Sequence, residues 1–226
     1  MKTLIIAAHP DDEVLGCGGT IAKLSARGEE VHILILSTGL TSRRGFDIQE
    51  TPNALNTHLK RAKQAGALLG ATNVNFARLP DQKLDTLPLL DITQRIEAEI
   101  ESLKPQTIFT HHGGDLNMDH VITFRATLTA TRPMAGGTLG AVYAYEIPSS
   151  TDWAFQKFEP TFQPNLFVDI LETLNRKIEA MRVYESEIRE FPHPRSPQAL
   201  EAIAKRWGSV CGLKAAEAFE IIREIR

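Results

Sequence analysis

The residues best suited to chemistry lie near the N-terminus, where His9-Pro-Asp-Asp-Glu13 directly follows the apolar run Thr3-Leu-Ile-Ile-Ala-Ala8. One imidazole and three carboxylates stand within five residues, and Pro10 stiffens the turn between them. His9 and Asp12, three residues apart where a strand gives way to a helix, can converge on one point. An imidazole plus a carboxylate is two-thirds of a catalytic zinc site, which takes three protein ligands and leaves a position open for water. The partial positive charge of a helix start also favours carboxylates there. Helix capping accounts for one Asp. It does not account for the whole pentapeptide at a strand end.

A second constellation, His111-His-Gly-Gly-Asp-Leu-Asn-Met-Asp-His120, follows the apolar segment Thr107–Thr110 and holds three of the seven histidines. His120, at or near the start of the next helix, is the best third ligand. Asp119 beside it can orient the cluster from behind a ligand, as carboxylates commonly do at metal sites. The nearby glycines Gly16, Gly18 and Gly19 do not make a dinucleotide loop, because Ile21 stands where the third glycine of G-x-G-x-x-G is needed. They are read instead as close packing of a helix on a sheet.

These two stretches need a scaffold that brings strand ends together. Short apolar runs at 3–8, 31–36, 74–77, 107–110, 141–147 and 166–168 read as strands, and helical spacing over 13–27, 55–69 and 89–103 separates the first four. That alternation predicts an α/β fold: a three-layer, Rossmann-like, mostly parallel sheet with helices on both faces. In such sheets ligands bind beyond the carboxyl ends of the strands, where both constellations lie. The C-terminal part reads as a helical extension, about 170–226, with helices over 171–190, 197–205 and 215–225. The stiff loop Phe191-Pro-His-Pro-Arg-Ser-Pro197 interrupts it. The whole of 1–226 is expected to form one domain.

With 226 residues, 42% of them hydrophobic, the chain can bury a core without staples. Its net charge of −3 excludes a strongly basic nucleic-acid footprint. No apolar run is long enough for a membrane span, and two cysteines make no disulfide framework. A cytoplasmic location is the expectation, and a homo-oligomer is left open.

His9-Pro-Asp-Asp-Glu13 together with Asp115-Leu-Asn-Met-Asp-His120 resembles the PIG-L/LmbE-like zinc deacetylases, which remove N-acetyl groups from amino sugars. The tail Tyr184–Ser196 resembles that of bacterial members. The resemblance implies that His9, Asp12 and His120 hold zinc, with ferrous iron as the alternative ion, and that Asp11 is the general base. It places a substrate-binding arginine at Arg43 or Arg44. Many members carry a histidine three residues before the last ligand; here Asn117 stands there and cannot protonate a leaving amine. Asn117 can still donate a hydrogen bond to an oxyanion. Either Asp11 carries out both proton transfers or one of His111, His112 and His193 moves in. His193 and Arg195, in the proline loop, are further substrate contacts. Trp153, Phe155 and Phe158 form either a sugar-stacking platform or part of a core or oligomer contact.

The expected activity is zinc-dependent removal of an acetyl group from an amino-sugar derivative that is nucleotide-, lipid- or glycan-linked. A metal-dependent hydratase or non-sugar amidase on the same scaffold is the first rival, and a non-catalytic sugar-nucleotide binding module the second. Substrate selection is expected in loops 39–53, 111–118 and 147–165.

Overall fold

The computed structural model describes residues 1–39, 52–133 and 137–225. Strands β1 (Lys2–Ala7), β2 (Glu30–Ser37), β3 (Asn73–Leu79), β4 (Thr107–His111) and β5 (Ala141–Tyr145) run parallel, interleaved with helices α1 (Asp12–Ala26), α2 (Pro52–Leu69), α3 (Leu89–Leu103) and α4 (Met118–Ala130). β6 (Leu166–Asp169), α5 (Leu174–Val183), α6 (Pro197–Cys211) and β7 (Ala216–Glu224) complete the chain. The seven strands lie in the order β3-β2-β1-β4-β5-β7-β6. The chain steps outward from β1 to β3, then returns to place β4 on the other side of β1. That reversal opens a crevice at the carboxyl ends of β1 and β4, the usual ligand position in such a sheet.

The uninterrupted apolar runs of β1 and β2 follow from burial on both faces. Ile5, Ala7, Ile33 and Ile35 pack with α1, α2 and α5. Their neighbours Leu4, Ile6, Leu34 and Leu36 face α3 and α4, as the twofold alternation of a strand requires. The mostly parallel α/β architecture agrees with the sequence reading. No helix among the described residues is long and apolar enough to cross a membrane.

The C-terminal part departs from expectation. Residues 215–225 were expected to be helical, yet Ala216–Glu224 is a strand, antiparallel to both β5 and β6. Its Ala, Glu and Ile content favours a helix, but the ladders offered by β5 and β6 on either side outweigh that preference. Without β7, β6 could not join the sheet. The helix expected over 171–190 is shorter, Leu174–Val183, and that expected over 197–205 runs on to Cys211, where Gly212 closes it at φ 80°.

Helix α1 is not continuous. Cys17 takes φ −145° and ψ 23°, which breaks the helical hydrogen bonding. The freed groups are met from the C-terminal elements. Glu217 accepts from the Gly19 and Thr20 N–H groups at 2.9 and 2.7 Å. Lys177 Nζ donates to Leu15 O at 2.8 Å and to Glu217 at 2.6 Å. The glycines fit this close approach: a Cβ on Gly16 would collide with the Tyr145 ring, and one on Gly19 would lie 2.8 Å from Ile170.

Candidate active site

β1 ends at Ala7, and the chain turns through His9–Asp11 into the first turn of α1. Asp11 occupies the cap position at φ 114° and ψ −27°, a left-handed conformation that costs a residue with a side chain roughly 1–3 kcal/mol. The turn sets His9 and Asp12 side by side: the His9 N–H donates to Asp12 Oδ2 at 2.8 Å, and His9 Nδ1 lies 3.2 Å from the same oxygen. The third member comes from the start of α4, where Asn117 caps the helix by accepting from the Asp119 N–H at 2.9 Å. His120 Nε2 then lies 3.3 Å from His9 Nδ1 and 3.3 Å from Asp12 Oδ2.

Ligand bonds of about 2.0–2.1 Å in a tetrahedral site imply ligand–ligand edges of about 3.4 Å. The three observed edges, 3.2, 3.3 and 3.3 Å, match. Asp12 Oδ1 is buried and has no hydrogen-bond partner among the described residues, as expected of a carboxylate built to face a cation. His9, Asp12 and His120 can therefore hold a divalent metal ion.

Each imidazole is backed by a carboxylate. His9 Nε2 lies 3.0 Å from Asp119 Oδ2, whose other oxygen accepts from the Leu84 N–H at 3.0 Å. His120 Nδ1 faces Asp115 Oδ1 at 3.2 Å. Asp115 is fixed in turn by the Asn117 N–H at 2.8 Å, by the Thr151 hydroxyl at 2.7 Å and by Ser150. Burial lowers the pKa of both imidazoles, but the surrounding carboxylates prevail and raise His9 to about 10 and His120 to about 9. Burial works against ionisation of Asp115 as well, yet His120 and its hydrogen bonds bring it down to about 2. The centre is thus an anionic shell that draws positive charge.

The Asp11 carboxylate is paired from the C-terminal part of the chain. Arg195 Nη1 reaches across from the proline loop to Asp11 Oδ2 at 2.8 Å, while its Nε donates to Ser149 Oγ at 2.8 Å. No described residue donates to Asp11 Oδ1. Burial pushes the Asp11 carboxyl up to about 7, with Arg195 opposing the rise and Asp12 and Glu13 adding to it. Glu13 accepts from the Asp11 N–H at 3.1 Å and from the Tyr184 hydroxyl at 2.5 Å.

Two further histidines of this stretch are enclosed behind the centre, and His111 Nε2 lies 3.4 Å from Asp12 Oδ2. His111 is fully buried, stacked on His120 with ring centroids 4.1 Å apart. Its Nε2 accepts from the Ala8 N–H at 2.9 Å, which requires a neutral ring. Burial and the His120 charge push its pKa down to about 4. His112 is tied at both nitrogens, to Glu220 at 2.7 Å and to Pro160 O at 2.8 Å. A strand end in a doubly covered sheet is enclosed, so β4 delivers these rings inward. His193 is half-buried; its Nδ1 accepts from the Arg195 N–H at 3.1 Å, and its ring meets Trp153 edge-on at 5.3 Å. Arg43 and Arg44 lie outside the described residues.

The sequence reading missed two residues. Asp81 Oδ1 lies 3.4 Å from His9 Nε2, and the Gln82 amide 3.1 Å from it. Their position just beyond the carboxyl end of β3 was the available signal.

Comparison with known proteins gives the family. Residues 4–131, more than half of the chain, match the family described as PIG-L: GlcNAc-PI de-N-acetylase. The chain belongs to the PIG-L family. Like the deacetylases it resembles, this PIG-L protein is a hydrolytic N-deacetylase. The chain is 27% identical over 191 residues to the uncharacterized deacetylase YaiS of Escherichia coli, covering 81% of this chain and 90% of that one. It is 25% identical over 236 residues to the diacetylchitobiose deacetylase of Thermococcus kodakarensis, covering 98% and 83%. Its fold matches the N,N'-diacetylchitobiose deacetylase of Pyrococcus horikoshii with a TM-score of 0.79 at 22% identity, covering 98% and 84%.

Proposed function

We propose that the protein is a zinc-dependent hydrolase that removes the acetyl group from an amino-sugar derivative, releasing acetate and a free amine. The observation that carries this reading is the triangle of His9 Nδ1, Asp12 Oδ2 and His120 Nε2, with edges of 3.2–3.3 Å beside a second, non-ligand carboxylate. Two imidazoles and one carboxylate are a donor set suited to zinc, and ferrous iron fits it as well. A divalent ion held there supplies Lewis-acid polarisation of an amide carbonyl and acidifies water.

The remaining work falls to this chain's own groups. Asp11 accepts the proton of the attacking water and returns it to the leaving nitrogen. A carboxyl raised to about 7 suits both transfers. Arg195 holds one Asp11 oxygen and leaves Oδ1 for that proton. His111 and His112 are enclosed and engaged, so neither replaces the acid absent at Asn117. Asn117 commits Oδ1 to the helix cap and keeps its Nδ2 donors for a developing oxyanion. Asp115 and Asp119 keep the two imidazoles oriented.

The substrate class draws on the sugar-directed relatives, including the Bacillus cereus protein named as a probable N-acetyl-alpha-D-glucosaminyl L-malate deacetylase. An acetate-release screen of free, nucleotide-linked and lipid-linked N-acetyl sugars, with and without a chelator, tests the reading. Chelator-sensitive acetate release is the expected result. Acetate release that survives complete metal removal overturns the metal assignment, and release only from non-sugar amides overturns the substrate class.

A further inference from the structure

We propose that Asp81 is a positioning residue for His9: together with Asp119 it keeps the ring proton on His9 Nε2, so that Nδ1 holds its lone pair toward Asp12 and His120. This rests on the metal assignment above and adds to it a third strand end, that of β3.

The loop after β3 closes over the far side of the His9 ring. Asp81 Oδ1 lies 3.4 Å from His9 Nε2, and Asp119 Oδ2 lies 3.0 Å from the same nitrogen. The Gln82 amide is 3.1 Å from it. Further along the loop, the Leu84 N–H donates to the other Asp119 oxygen at 3.0 Å. Residues 81–84 thus engage both members of the His9–Asp119 pair. Leu84 packs in one apolar cluster with Leu4, Ile6 and Leu36, which anchors the loop on β1 and β2. Gln82 takes φ 52°, a left-handed conformation that strains a residue with a side chain and concentrates at functional sites.

A neutral imidazole carries one proton and one lone pair. The triangle takes Nδ1 of His9, so the proton belongs on Nε2. Were it to move to Nδ1, the ring would turn a donor toward the triangle and cease to be a ligand. Two carboxylates oppose that move, because each would then face the Nε2 lone pair. Asp81 and Asp119 are 0% and 1% exposed, so little water screens them. The side chain of His9 is 10% exposed, against 1% for Asp12 and for His120. The ligand nearest to solvent is therefore the one that meets two carboxylates. Either of them can accept the single N–H, so each covers for loss of the other.

The test measures zinc affinity by chelator competition for the wild type, Asp81→Asn, Asp119→Asn and the double variant, with denaturant unfolding of each to confirm the fold. Asp81→Asn is expected to weaken zinc binding about tenfold, the low end for the outer partner of a ligand. The double variant is expected to lose about fivefold or more beyond the product of the two single losses. In zinc-loaded protein carrying isotope-labelled histidine, the proton resonance of His9 Nε2–H is expected to shift in each single variant and to exchange away in the double. Unchanged affinity in Asp81→Asn, or a double variant that shows no more than the product of the single losses, overturns the proposal. A second zinc equivalent, bound by the wild type and lost in Asp81→Asn, also overturns it, by putting an ion where the proton is placed here. If the double variant does not fold, Asp81→Asn decides through its affinity and the Nε2–H resonance. A wild type that binds no zinc removes the metal assignment and this role with it; zinc binding that ignores Asp81 removes the positioning role alone.

Discussion

The N-terminal part through α4 and the C-terminal part after it share one sheet but contribute differently to the site. All three candidate ligands, the adjacent carboxylate Asp11 and both carboxylates behind the imidazoles come from residues 9–120, at the ends of β1 and β4 and the starts of α1 and α4. The later part adds no candidate ligand among the described residues. It supplies braces instead. Glu217 and Lys177 hold the broken helix α1, Tyr184 holds Glu13, Arg195 holds Asp11, and Ser150 and Thr151 hold Asp115. Chemistry concentrated in two short stretches thus depends on orientation imposed from dispersed ones. A scaffold divided in this way can vary its braces and walls, and with them its substrate, while leaving the reactive groups alone.

Substitutions can break this contrast. The largest effect is expected for His120→Ala, where elemental analysis of purified protein should show metal at roughly a tenth of an equivalent or less, with acetate release at background. Stoichiometric metal in that variant removes His120 from the ligand set. Asp11→Asn should retain its metal while kcat falls by about 10²–10⁴; wild-type turnover would show that Asp11 is not the base.

A brace should behave differently from a ligand. Lys177 and Glu217 are 7% and 4% exposed at the side chain, so Lys177→Met leaves an uncompensated buried carboxylate and should cost about 3–5 kcal/mol of stability in denaturant unfolding. Metal stoichiometry in the folded protein should not change. A variant that keeps its stability but loses its metal would erase the distinction between the two parts. Asp119→Asn, within the N-terminal part, should weaken metal affinity by about 10–100-fold in chelator competition while the fold stays intact. The smallest effect is expected for Tyr184→Phe: loss of one hydrogen bond to Glu13, about 1 kcal/mol in unfolding. A loss several times larger would mean that Tyr184 supports the whole Asp11–Glu13 turn.

The legible parts of the sequence were the ones with local causes. The apolar runs of β1 and β2, the periodicity of α3 and the proximity of His9 to Asp12 each depend on residues a few positions apart. The strand at Ala216–Glu224 depends on ladders that β5 and β6 provide from 47 or more positions upstream, and its composition argued for a helix. His111 and His112 belong to the right cluster by type, but which of three neighbouring imidazoles faces the centre depends on how β4 ends and where α4 begins.

Residue type and spacing alone pointed to His9 and Asp12 as neighbours at a strand end, because a strand-to-helix turn converges groups three residues apart, and to His120 as their partner from the second histidine-rich stretch. Only the tertiary structure decided that Asp11 is paired with Arg195 and that Asp81 stands beside His9. These contacts join residues 72–184 positions apart in the chain. Such pairings arise from the packing of whole elements, which no local pattern encodes.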